Sequence, residues 1–236
     1  MATARRIKNP RPSADEAPED EAKADLPPTI ARVQIDLWGI KPLLMHNERL
    51  ANPFDPITRD IAAITSKRTR QTEDDKRQVQ RLEWEGGLYF DRGAPAHGEL
   101  PARAGVGPYI PSANLKKCLV NAGAIYRAGT SLIRALFPED TEITLLYDGP
   151  RDIDGLWEAG FLDARMVGVQ RNKVLRTRPK FEQWALSTVF MVETTIVDIY
   201  SLTRYLETAG TTTGLGDYRP TFGRFRGKLT PLTPKE

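Results

Sequence analysis

The sequence predicts an α+β fold: an antiparallel sheet of ferredoxin-like or RRM-like order with two core helices, an inserted helical segment and a projecting basic β-hairpin. Three observations carry this expectation. Residues 30–38 alternate apolar with polar side chains, as a half-buried strand does. Stretches 112–126 and 198–209 repeat apolar residues at helical spacing. Between them, residues 143–193 consist mostly of strand-like runs and turn residues.

Taken in order, residues 1–28 hold five cations and six acids among many prolines and alanines. Too little apolar surface is present to offset the entropy of ordering, so a disordered acidic leader is expected there. A single domain is expected over 29–230, with 231–236 as a tail. It opens on a strand in which Val33, Ile35 and Leu37 share the buried face.

Residues 56–107 read as an insertion. Ile57, Ile61 and Ile64 have helical spacing, and Thr72 caps a second helix whose first turn holds Glu73, Asp74 and Asp75. Between the two helices, Lys67, Arg68 and Arg70 lie in an acid-free connection suited to phosphate. Gly86 to Phe90 reads as a short strand, and 91–107 as a Gly/Pro-rich loop.

The helix after Pro111 has Leu115, Cys118, Leu119, Ala122 and Tyr126 on one stripe, which makes Cys118 a core residue. It is the only cysteine, so no intrachain disulfide can form, and a reducing compartment, the cytoplasm, is expected. No apolar run reaches the roughly 18 residues needed to cross a bilayer.

A basic hairpin is expected within 161–193. Residues 165–180 carry six cations and no acid. Arg165, Arg171 and Lys173 fall in one strand phase and Arg176, Arg178 and Lys180 in the other, unless a bend resets the register; Pro179 is expected to stiffen the tip. Asp198 then caps a helix with Ile199, Leu202, Leu206 and Ala209 on one stripe.

That helix runs into Gly214-Leu215-Gly216-Asp217-Tyr218-Arg219, followed by Phe222-Gly223-Arg224-Phe225. Glycines permit positive φ, and successive N–H groups in such a bend form a concavity for an anion. Arg219 and Arg224 add charge, and Tyr218 and Phe222 offer rings on which bases can stack. Net charge is only +3, so these local clusters, rather than the overall balance, point to nucleic acid.

This stretch resembles the glycine-rich loop of the RAMP superfamily, which includes the CRISPR-associated backbone proteins that polymerise along guide RNA. In outline the likeness extends from residue 30 to 228, and the chain also resembles small uncharacterised proteins of bacteriophages and prophages. The resemblance implies an RRM-like core, binding of single-stranded RNA or DNA, and head-to-tail assembly into an oligomer or filament. The family loop carries over to Gly214, Gly216 and Arg219. By position and charge alone, the basic connection (Lys67, Arg68, Arg70) and the hairpin (Arg171, Lys173, Arg176, Arg178) correspond as well.

Some members of that superfamily cut RNA with a histidine or with a metal held by aspartates. The only histidines are His46, just past the first strand, and His97. Asp55, Asp60 and Asp217 are the candidate metal ligands, although local structure accounts for Asp55 and Asp60. No P-loop, zinc spacing or nucleophile elbow is present. The expectation is therefore a non-catalytic binder without cofactor or metal. Two alternatives remain: an endoribonuclease using His46 or an aspartate-held metal, and a protein–protein module such as a phage inhibitor or assembly factor.

Overall fold

The computed structural model describes residues 29–67, 71–91, 107–169 and 172–233. The acidic leader, Arg68, Arg70, the loop with His97, and Arg171 lie outside the described residues. Strand β1 (Ile30–Gly39) leads to a short β2 (Leu43–Leu44), then helices α1 (Pro56–Thr65) and α2 (Glu73–Gly87). Next come β3 (Phe90–Asp91), β4 (Gly107–Pro111), α3 (Ser112–Ala124), α4 (Gly129–Ala135), β5 (Leu136–Pro138) and β6 (Glu142–Thr144). Helix α5 (Ile153–Glu158), β7 (Leu162–Val169), β8 (Asn172–Phe181), β9 (Ala185–Glu193), α6 (Ile199–Thr208) and β10 (Phe225–Leu232) complete the chain.

The fold is mixed α and β with antiparallel sheets. The main sheet has the order β10-β1-β9-β5, every neighbouring pair antiparallel. Alternation fixes which face is buried: Val33, Ile35 and Leu37 from β1 meet Leu186, Phe190 and Val192 from β9. Helices α3 and α6 pack over that face with Leu115, Cys118, Leu119, Leu202 and Leu206. The insertion begins as expected. Asp55 Oδ1 accepts from Ile57 N at 3.0 Å to cap α1, and Thr72 with Asp75 forms a capping box on α2.

Four boundaries differ from expectation. Helix α2 continues through Gly86 and Gly87, so the strand expected at residue 86 shrinks to β3. The glycines serve close packing: a Cβ on Gly86 would lie 2.5 Å from the Leu50 side chain, and one on Gly87 would lie 2.9 Å from Pro179. The hairpin is β7 and β8 alone, because β9 belongs to the main sheet. Its reversal lies between Val169 and Asn172, and Pro179 sits inside β8 opposite Leu162 rather than at the tip. Proline is tolerated there because its carbonyl, not its nitrogen, bonds the neighbouring strand, accepting from Met45 N at 3.0 Å. Finally, β10 runs to Leu232, two residues into the stretch expected as tail.

The reversal also resets the strand phase. Arg165 is the direct cross-strand partner of Arg176, and Asp163 that of Arg178. Direct partners share a face. Arg165, Arg176 and Arg178 therefore stand on one side of the hairpin, while Thr177 and Pro179 are directed to the other, where Thr177 is buried.

Candidate nucleic-acid interface

Helix α6 starts under Asp198, whose Oδ1 accepts from Ser201 N at 2.8 Å. It ends in a wider turn, Ala209–Thr213, and Gly214 then takes φ +74°. The loop that follows is bound to the first crossover. Asp217 N donates to Leu44 O at 2.8 Å and Gly223 N to Pro42 O at 2.7 Å, while Leu215 N donates to Gly223 O at 2.8 Å. A Cβ on Gly216 would collide with the Leu44 carbonyl, and one on Gly223 with the Leu215 carbonyl. These glycines are required by close backbone approach as well as by positive φ.

That bracing corrects one expectation. The amides of Gly214, Leu215, Asp217, Phe222 and Gly223 all donate to protein carbonyls, so they form no open cradle for an anion. Buried backbone groups must be paired, and this loop pairs its own with the β2 crossover, with the end of α6 and with itself. Cys118 belongs to the same brace: its thiol donates to Gly214 O at 3.1 Å, and burial pushes its pKa up to about 12, weakly opposed by Arg219.

The hairpin and the loop meet. The Arg165 guanidinium lies 5.0 Å from the centre of the Tyr218 ring and 4.7 Å from that of Phe222. Arg178 stands 5.7 Å from Tyr218 and donates through Nε to Asp217 Oδ2 at 2.5 Å. Both rings expected to stack on bases are thus at the junction, edge to face, with Tyr218 44% exposed. Arginines occupy the positions over these rings.

The charges do not behave as the acid-free runs suggest. Arg176 binds Glu83 of α2, Arg165 binds Asp163, and Lys67 meets Asp75 at 2.5 Å. These carboxylates lie outside the basic runs, which a local count of charge misses. Among the described residues, no ion pair involves Lys173, Arg219 or Arg224. Of the other candidate ligands, Asp55 caps α1 and pairs with Arg49 at 2.9 Å, and Asp60 is exposed. No group of three potential metal ligands gathers among the described residues.

Three cavities surround the junction. One of 230 Å³ lies under the loop, between Met45, Tyr89, Lys117 and Arg219. A second, of 510 Å³, opens between α1 and the hairpin, lined by Ile61, Val167, Thr177, Arg178 and Tyr218. A third, of 580 Å³, shares no lining residue with these two and lies between Lys41, Pro42, Phe222 and Arg224. His46 borders the first two. Desolvation lowers its pKa below the ordinary value of 6.5; Asp217 opposes this, Arg178 and Arg176 reinforce it, and Glu83 opposes it. The ring is therefore neutral at neutral pH.

Sequence reasoning missed Lys41, Glu83 and Thr177 as members of this region. Lys41 follows a strand ending in glycine, a signal of a loop but not of which loop it would meet. No family model matches the chain, and no curated protein matches it.

Proposed function

We propose that this chain binds single-stranded RNA or DNA across the junction of the hairpin and the glycine-rich loop, without cleaving it, and assembles along the strand. The supporting observation is the convergence at one spot of Arg165, Arg178, Tyr218 and Phe222. Arg219 and Arg224, which form no ion pair among the described residues, border it. Cations that track phosphates beside rings that stack on bases are what a sequence-tolerant single-strand site needs. The sheet order β10-β1-β9-β5 with α3 and α6 on one face is compatible with a ferredoxin-like or RRM-like core, and supports placing the chain near the RAMP proteins. A phage origin and residence in the bacterial host cytoplasm belong to the same proposal.

Fluorescence anisotropy with labelled oligonucleotides at several salt concentrations tests it. Affinity is expected to fall steeply with salt, and Tyr218→Ala to weaken binding about tenfold through loss of stacking. Absence of binding at low salt rejects the proposal.

A second reading has one specific observation in its favour. His46 is neutral and stands at the mouths of two cavities beside Asp217 and two arginines, as a general base of a ribonuclease would. Loss of labelled-RNA cleavage in His46→Ala supports it; intact RNA with wild-type protein removes it.

A further inference from the structure

The 230 Å³ cavity under the loop joins an apolar floor to a charged mouth. Met45, Ile110 and Leu215 line it and are each 1% exposed, so its floor is the hydrophobic core. Lys117 and Arg219 line it too and are exposed, which puts them where it meets solvent. Its volume lies below the about 300 Å³ at which small-molecule sites begin, so it admits one group of a nucleic-acid strand and not a run of it.

The polar groups around this cavity have no use inside the protein. Among the described residues, neither Lys117 nor Arg219 forms an ion pair. Asn114 lies three residues before Lys117 in α3, on the same side of the helix, and its side chain makes no hydrogen bond among the described residues. The acid in the lining, Asp217, is already held by Arg178 Nε at 2.5 Å. His46 is neutral at neutral pH and adds no charge. Two cations therefore border one small cavity with no free acid to balance them, which is a local excess of about two charges.

We infer that this cavity takes the terminal phosphate monoester at one end of the bound strand. An internal phosphodiester carries a single negative charge, whereas a terminal monoester has a second pKa of about 6 and carries nearly two charges at neutral pH. Lys117 and Arg219 match the second count. The monoester also has three free oxygens, enough to accept from both cations and from the Asn114 amide together. A diester continues in two directions, but a terminal phosphate has one ester link and can stop at a closed floor. The Tyr89 ring, which shares the lining, gives the last nucleotide an apolar surface to rest on. The inference rests on the single-strand reading and deepens it, because an anchored end gives assembly along the strand a place to begin.

Three oligonucleotides of one sequence, labelled at an internal base, test it. They carry a 5′-phosphate, a 3′-phosphate or hydroxyls at both ends, and are made in ribo and deoxyribo forms, the form that binds being the one read. Wild-type protein at neutral pH is expected to bind one of the two phosphorylated oligomers about tenfold more tightly than the hydroxyl-ended one, the scale of one further charge-assisted contact. Which one it prefers reports the direction of the strand. Lys117→Met keeps the apolar stem and removes the charge at an exposed position; it is expected to abolish the preference and leave affinity for the hydroxyl-ended oligomer unchanged. Asn114→Ala is expected to reduce it. Thermal melts confirm that both variants fold. Equal wild-type binding of all three oligomers overturns the end preference and leaves the single-strand reading standing. An equal gain from either phosphate does the same, since the protein then reads total charge. A preference that survives Lys117→Met, or a loss in that variant shared by all three oligomers, also overturns it, because the end is then read elsewhere or Lys117 meets internal phosphates. No wild-type binding of any oligomer overturns both.

Discussion

The two sides of the glycine-rich loop treat charge in opposite ways. In front, Arg165, Arg176 and Arg178 each rest on a carboxylate: Asp163, Glu83 and Asp217. At the back, meaning the second half of the loop from Pro220 to Arg224, Lys41 and Arg224 flank a 580 Å³ groove whose lining contains no acid. The front is therefore built for geometry, with guanidinium groups aimed at rings and held there. The back is built for net charge. A phosphate reaching the front must displace or share a carboxylate, whereas one reaching the back meets an uncompensated field.

Both sides depend on the loop that divides them, so the largest expected effect breaks the comparison altogether. Gly223 has φ +70°, and an added Cβ would strike the Leu215 carbonyl, a backbone atom that cannot rotate away. Gly223→Ala combines left-handed strain with overpacking and is expected to cost about 3 kcal/mol. Chemical denaturation reads that loss, and oligonucleotide binding should fall on both sides together. A variant as stable as wild type would show that the loop is not a shared brace.

Sequence patterns made some of this visible and hid the rest for physical reasons. Strand β1 and the helices α3 and α6 were legible because each buries a face with a fixed period, as Val33, Ile35 and Leu37 show, whereas β5 and the place of β9 in the main sheet were not. The caps at Thr72 and Asp198 were legible because a side chain reaches only two or three residues along the chain. The loop's glycines were legible as special positions, but not what they accommodate. Gly216 is shaped by Leu44, a residue near the other end of the chain that no spacing rule connects to it. The ion pairs were hidden likewise. Glu83 and Arg176 are separated by 93 residues, and no count within a window can see the neutralisation. Arg165 was legible as part of a basic run but not as a cover for Tyr218, since the hairpin reversal fixes its face.

A smaller effect sharpens the contrast between front and back. Asp217→Asn removes the carboxylate from Arg178 and should tighten oligonucleotide binding severalfold, while lowering stability by about 1 kcal/mol because a charge-assisted bond disappears. Lys41→Ala combined with Arg224→Ala should act the other way, weakening binding about tenfold with little change in stability. It should also reduce the salt slope by about 0.7 for each phosphate the protein no longer neutralises. Anisotropy titrations across salt, with melts alongside, read all of these. Equal and opposite outcomes locate the phosphates on both sides; weaker binding by Asp217→Asn would mean that Arg178 acts only as paired.

The smallest expected effect is a dependence on pH through His46, which borders the front alone. Its folded pKa lies below 6.5 because desolvation, helped by Arg178 and Arg176, outweighs the pull of Asp217 and Glu83. Above pH 6.5 the ring is neutral in both folded and unfolded chains and contributes no slope. As pH falls below 6.5 the unfolded chain takes up its proton first, so stability declines through the interval down to the folded value. His46→Gln should flatten that interval, and the effect is modest because the side chain is exposed. Binding has the opposite sign. A phosphate brought to the front adds negative charge beside the ring, raises its pKa and makes protonation favourable in the complex, so affinity should rise as pH drops through the same interval. The Lys41 and Arg224 groove is not lined by His46 and should not share this dependence. An oligonucleotide affinity that is flat below pH 6.5 in wild type would mean that the strand does not pass His46, and would restrict binding to the back of the loop.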